Sequence, residues 1–154
     1  MDARRIAIVL VVIGAGWFVM HRKSAAPPSS TIGSGGSGSA ASNGLDCVNR
    51  AEQANQKLHD AAMLQLHPPV DANGWSSAES DVSSAISSAD SSCGSGNTEG
   101  DRKAAEEVRT ALGLMRSTLG SLSSAARGAG GASEAARDQE QIDAHLSKAR
   151  SFLR

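Results

Sequence analysis

The chain has 154 residues, a formal net charge of −1 at pH 7, two Trp, two Phe, two Cys and no Tyr. That length fits one modest domain, and so few aromatic and β-branched residues argue against a β-sandwich. Residues 44–154 carry eleven Lys/Arg against fifteen Asp/Glu, which excludes the clustered basic face of a nucleic-acid binder. Ala, Ser, Gln, Glu and Arg dominate there, so the expected fold class is all-α.

Residues 1–5 read as a short tail and residues 6–20 as a membrane segment. Residues 21–43 read as a flexible linker and residues 44–154 as a helical domain. The membrane segment, IAIVLVVIGAGWFVM, runs from Ile6 to Met20. It is fifteen uncharged residues with Arg4-Arg5 in front and His21-Arg22-Lys23 behind. A spanning helix takes about 17–25 residues and a secretory apolar region about 7–15, so the segment stands between the two. As a helix it covers roughly 22 Å; snorkelling Arg and Lys and a thinned bilayer close the gap to the hydrocarbon thickness. Ser24-Ala25-Ala26 offers small residues for cleavage, but Pro27 after the cut and Arg22-Lys23 before it disfavour one. The expectation is an uncleaved single-pass anchor that meets membrane lipid between Ile6 and Met20. The alternative is a cleaved signal and a secreted helical binding protein. Two Lys/Arg on each side leave the orientation undecided by charge.

The stretch SAAPPSSTIGSGGSGSAASN, residues 24–43, has no periodicity and almost no apolar side chains, so it cannot offset its own ordering entropy. Gly33, Gly35 and Gly38 match a dinucleotide-binding glycine pattern, but no strand precedes them and no helix follows directly.

The first helix is expected over residues 43–66, capped by Asn43 or Asp46, with Cys47, Ala51, Ala54, Leu58, Ala61 and Gln65 on one face and Val48, Ala62 and Leu66 beside them. His67-Pro68-Pro69 ends it. Residues 70–75, with Asn73-Gly74, are expected as a turn. Ser76 and Glu79 then form a capping box for a second helix carrying Val82, Ala85, Ile86, Ala89 and Cys93. Gly94-Ser95-Gly96 stops it. The longest helix is expected over residues 98–127. Its seam of Ala105, Val108, Leu112, Met115, Leu119, Leu122 and Ala126 has heptad-type spacing. Gly113 and Gly120 in this helix either admit a close neighbour or are simply tolerated. A last helix, residues 134–153 with Ser133 as cap, carries Ala135, Gln139, Ile142, Leu146, Ala149 and Leu153. Four helices with short connections make a small antiparallel four-helix bundle of two hairpins. Its Ala-rich core is thin. The first hairpin holds seven acids against Arg50 and Lys57 and the second eight acids against nine bases, so the acidic hairpin is expected to face the basic one.

Cys47 opens the first helix and Cys93 closes the second, and an antiparallel hairpin brings those two positions to one end. A disulfide between them is expected, and disulfides persist in oxidising compartments. That breaks the orientation tie: N-terminus in the cytoplasm, helical domain outside it.

No catalytic residue stands out. His59, His67 and His145 form no metal-binding pair and read as helix-surface side chains. No nucleophile elbow marks any serine, and Glu106-Glu107 and Glu140 with Asp143 read as solvated faces. No metal and no cofactor is expected. The functional expectation is a membrane-anchored, extracytoplasmic, non-catalytic helical interaction or structural module of a cell-envelope assembly. It would act on a protein partner, or a second copy of itself, through Val108, Leu112, Met115, Leu119, Leu122, Ile142, Leu146 and Leu153. In architecture alone, the short anchor, linker and helices resemble the inner-membrane spanin subunits of phage lysis systems; no motif of this chain carries the likeness.

Overall fold

A computed structural model describes residues 42–67, 70–94 and 96–154. The expected tail, the membrane segment and the linker up to residue 41 lie outside the described residues. Those described form four helices and no strand: α1 Ser42–Gln65, α2 Ala72–Ser92, α3 Glu99–Ala126 and α4 Ala132–Ser151. Adjacent helices are antiparallel, because the early part of each meets the late part of the next. Cys47 joins Cys93, Trp75 meets Ser123, and Glu107 meets His145. The expected four-helix bundle is therefore the observed one. α1 and α3 each pack on the other three helices, while α2 and α4 form opposite corners.

The expected stripes supply the core. Cys47, Val48, Ala51, Ala54, Leu58, Ala61, Ala62 and Leu66 of α1 and the following residue are buried. They meet Val82, Ile86 and Ala89 of α2, the heptad seam of α3, and Ala135, Ile142, Leu146 and Ala149 of α4. Alanine makes up much of this set, so the helices come close but bury little apolar area per residue.

The helix ends differ from expectation in three places. α2 starts at Ala72, not after Ser76, because the Asp71 carboxylate accepts from the backbone N–H groups of Asn73 and Gly74 at 3.1 and 3.0 Å. An N-cap aspartate outweighs the turn tendency of Asn-Gly, and the earlier start carries Trp75 into the core, 3% exposed. α4 starts at Ala132 with Gly131 as cap at φ 110°, and Ser133 donates to Glu134 instead of capping. A side chain on Gly131 would strike the Ser121 carbonyl, so both the left-handed backbone and the close approach to α3 require glycine there. α1 already includes Asn43 and Asp46, and Asp46 accepts from Arg50 at 3.0 Å rather than capping. α3 starts at Glu99, within a residue of the expected start, and there Thr98 and Asp101 form a reciprocal capping box that spacing had not singled out.

Trp75 donates its indole N–H to the Ser123 hydroxyl at 3.0 Å inside the core. Gly113 and Gly120, by contrast, lie on the outer face of α3 with open space where a Cβ would stand, so they admit no neighbour and are simply tolerated. These sites make opposite predictions. Ser123→Ala leaves a buried donor unpaired and should cost about 1–3 kcal/mol. Gly113→Ala should raise stability by about 0.5–1 kcal/mol through helix propensity. Thermal melts of the two variants should therefore shift in opposite directions.

Candidate functional site

The heptad side chains singled out as an interaction seam lie inside the bundle. Val108, Leu112, Met115, Leu119, Leu122, Ile142 and Leu146 are buried in the common core, and Leu153 is half-buried against it. The stripes of α1 and α2 are their partners within one chain. The surface that remains is polar, with Leu45, Leu64 and Val70 as the large exposed apolar side chains among the described residues.

Three side-chain clusters fasten α4 to its neighbours. Arg150 grips Glu52 of α1 with two hydrogen bonds, at 2.8 and 2.5 Å, and reaches Asn49 at 2.8 Å. The paired carboxylate holds the guanidinium protonated more firmly than usual. Deeper along the same interface, Asn55 donates to Asp143 at 2.9 Å and accepts from Gln139 at 3.0 Å. On the other side of α4, Glu107 of α3 accepts from Lys148 and meets the His145 ring nitrogen, each at 2.6 Å. Hydrogen bonds from Lys148 and then His145 hold the Glu107 carboxyl below the ordinary range, against the opposing effect of burial. Glu107 and His145 were expected on plain solvated faces; they sit instead between α3 and α4, while Asp143 stays exposed as expected and still reaches Asn55 of α1. Their role is invisible in the sequence because it depends on which helices are adjacent.

The α2–α3 boundary is also polar. Arg116 reaches Asp90 at 2.8 Å, and Arg109 donates to the Cys93 carbonyl at 2.7 Å. With Arg150–Glu52, these contacts set bases of the second hairpin against acids or carbonyls of the first. The expected facing of acidic and basic hairpins is therefore realised at particular pairs.

The disulfide joins Cys47 and Cys93 with a Cα–Cα distance of 4.8 Å and a sequence separation of 46. Both residues are buried, 1% and 3% exposed. The bridge lies at the end of the bundle where the chain arrives from residue 41, next to the start of α3 and the end of α4. At the opposite end a shallow open groove beside the α3–α4 loop is lined by Ser117, Gly120, Ser121, Ser124, Gly130 and Glu134. Its carboxylate, Glu134, is held low in pKa by its own backbone N–H and by the Ser133 hydroxyl. Among the described residues no three His, Cys, Asp or Glu side chains are grouped to hold a metal ion, and no helix is long and apolar enough to cross a membrane. No family model, no curated protein and no solved structure matches this chain.

Glu107 gives a pH-dependent prediction. Its folded pKa is depressed, so its contribution is present above the ordinary carboxylate value and is lost as pH falls toward the folded one. Glu107→Gln should lower the melting temperature at pH 7, by the equivalent of about 1 kcal/mol or less. The gap between variant and wild type should narrow as pH falls below about 4.5. Melts across that range check it; a gap that stays constant would show that Glu107 acts through packing alone.

Proposed function

We propose that the chain is a membrane-tethered helical module on the extracytoplasmic side of the membrane, serving as a structural or adaptor part of a cell-envelope assembly rather than as a catalyst. The carrying observation is the buried Cys47–Cys93 bridge. Disulfides form and persist in oxidising compartments, and this one closes a small domain whose core is rich in alanine. The apolar run between Ile6 and Met20, with basic residues on both sides, supports the tether.

In this reading a protein partner meets the outer helix faces, the heptad side chains being occupied within the bundle. Leu64, 74% exposed, and Val70 stand at the end away from the linker and offer the apolar contacts. A second copy of the chain is an alternative occupant of the same surface.

Fractionation and protease access test the proposal together. The full-length chain should stay with membranes through carbonate and high-salt washing. Protease added outside sealed cells should cut the linker and release the bundle. Full-length chain in the soluble fraction, or a linker protected from outside protease, contradicts it. A soluble chain beginning near residue 25–27 instead supports the secreted alternative.

A further inference from the structure

α1 begins where the linker ends, so a pull transmitted along the N-terminal segment enters the bundle at Ser42. A helix drawn from its end frays turn by turn, because its backbone hydrogen bonds are met one after another. Three features oppose this within the first two turns of α1. Cys47 is bonded to Cys93, at the cap of α2. The Cys93 carbonyl in turn accepts from Arg109 of α3. Gly44 is buried, and a Cβ there would collide with the Asp101 carboxylate and lie 2.9 Å from Leu153. The first turn of α1 is thus wedged between the capped start of α3 and the residues that follow α4. At the linker end the disulfide adds a covalent tie between α1 and α2 to the Arg109 hydrogen bond and the packing around Gly44, whereas the far end is held by packing and hydrogen bonds alone.

We infer that the Cys47–Cys93 bridge is a tension clasp. It lets only the opening of α1 be drawn out and passes a pull on the linker to α2 and α3 together. The clasp depends on the tethered reading for its use in the cell, though not for its test. A bridge that only restricts the unfolded chain stabilises the fold regardless of where force is applied. A clasp acts chiefly when the pull enters through α1.

Direction-dependent stretching of single full-length chains in detergent separates the two. Tags at residue 41 and after Arg154 apply the pull through the start of α1. Tags after His67 and at Ala129 apply it to the two loops at the opposite end. At constant force, unfolding of the bridged chain should be about tenfold or more slower than that of the same chain reduced in place when pulled through α1. In the second geometry the difference should be below about threefold. Cys93→Ser supplies a permanent unbridged reference, and the reduced wild type serves if that variant does not fold. A tether that fails appears separately, as soluble full-length chain, and leaves this ratio untouched. An equal effect of reduction in both geometries overturns the clasp and leaves the bridge a general stabiliser.

Discussion

The bundle depends on a covalent link across an alanine-rich core. Ala51, Ala54, Ala61 and Ala62 of α1, Ala89 of α2 and Ala104, Ala105 and Ala111 of α3 belong to one shared core. Small side chains let helices approach closely, but each buries far less apolar area than a leucine. A loop of 46 residues closed by Cys47 and Cys93 offsets part of that shortfall, by about 4 kcal/mol on the chain-entropy account. That is a large share of the total stability of a domain this size. It also ties the start of α1 to the end of α2.

Polar groups at the boundary add to apolar shape in setting how the second hairpin sits on the first. A seam of alanines is nearly featureless along its length and specifies register weakly. Arg150 with Glu52 and Asn49, Asn55 with Asp143 and Gln139, and Trp75 with Ser123 each have one correct setting. Moving a helix by one turn would leave Asn55 or the Trp75 indole without a partner in a poorly hydrated interface, at a cost comparable to a lost buried hydrogen bond. The same groups explain why α4, whose stripe includes the polar Gln139, still belongs to the core.

Periodicity made the four helices, their apolar faces and the cysteine pairing legible before any coordinates, since each follows from spacing and the geometry of an antiparallel hairpin. The capping box of Thr98 and Asp101, although it spans only four consecutive residues, was not among those features; the box expected at Ser76 and Glu79 was displaced by the earlier start of α2. Other features needed the fold. Asn73-Gly74 reads as a turn by itself, and only the Asp71 carboxylate and the burial of Trp75 make it the first turn of α2. Glu107 and His145 are 38 residues apart, and nothing local distinguishes them from solvated charges. Val108, Leu112 and Met115 were readable as a seam. Whether a seam faces a partner or its own chain is a question of what else the chain can place against it, and here α1 and α2 occupy it.

The claim on which the rest turns is that Cys47 and Cys93 are joined within one chain and that the chain acquires this bond outside the cytoplasm. Peptide mapping of the protein taken from its native cells, alkylated before lysis and digested without reductant, tests this directly. The account predicts a single linked pair of peptides containing Cys47 and Cys93 and no alkylated cysteine. Two alkylated thiols would contradict both the hairpin clasp and the extracytoplasmic placement of the bundle, and a bridge between chains would contradict the clasp.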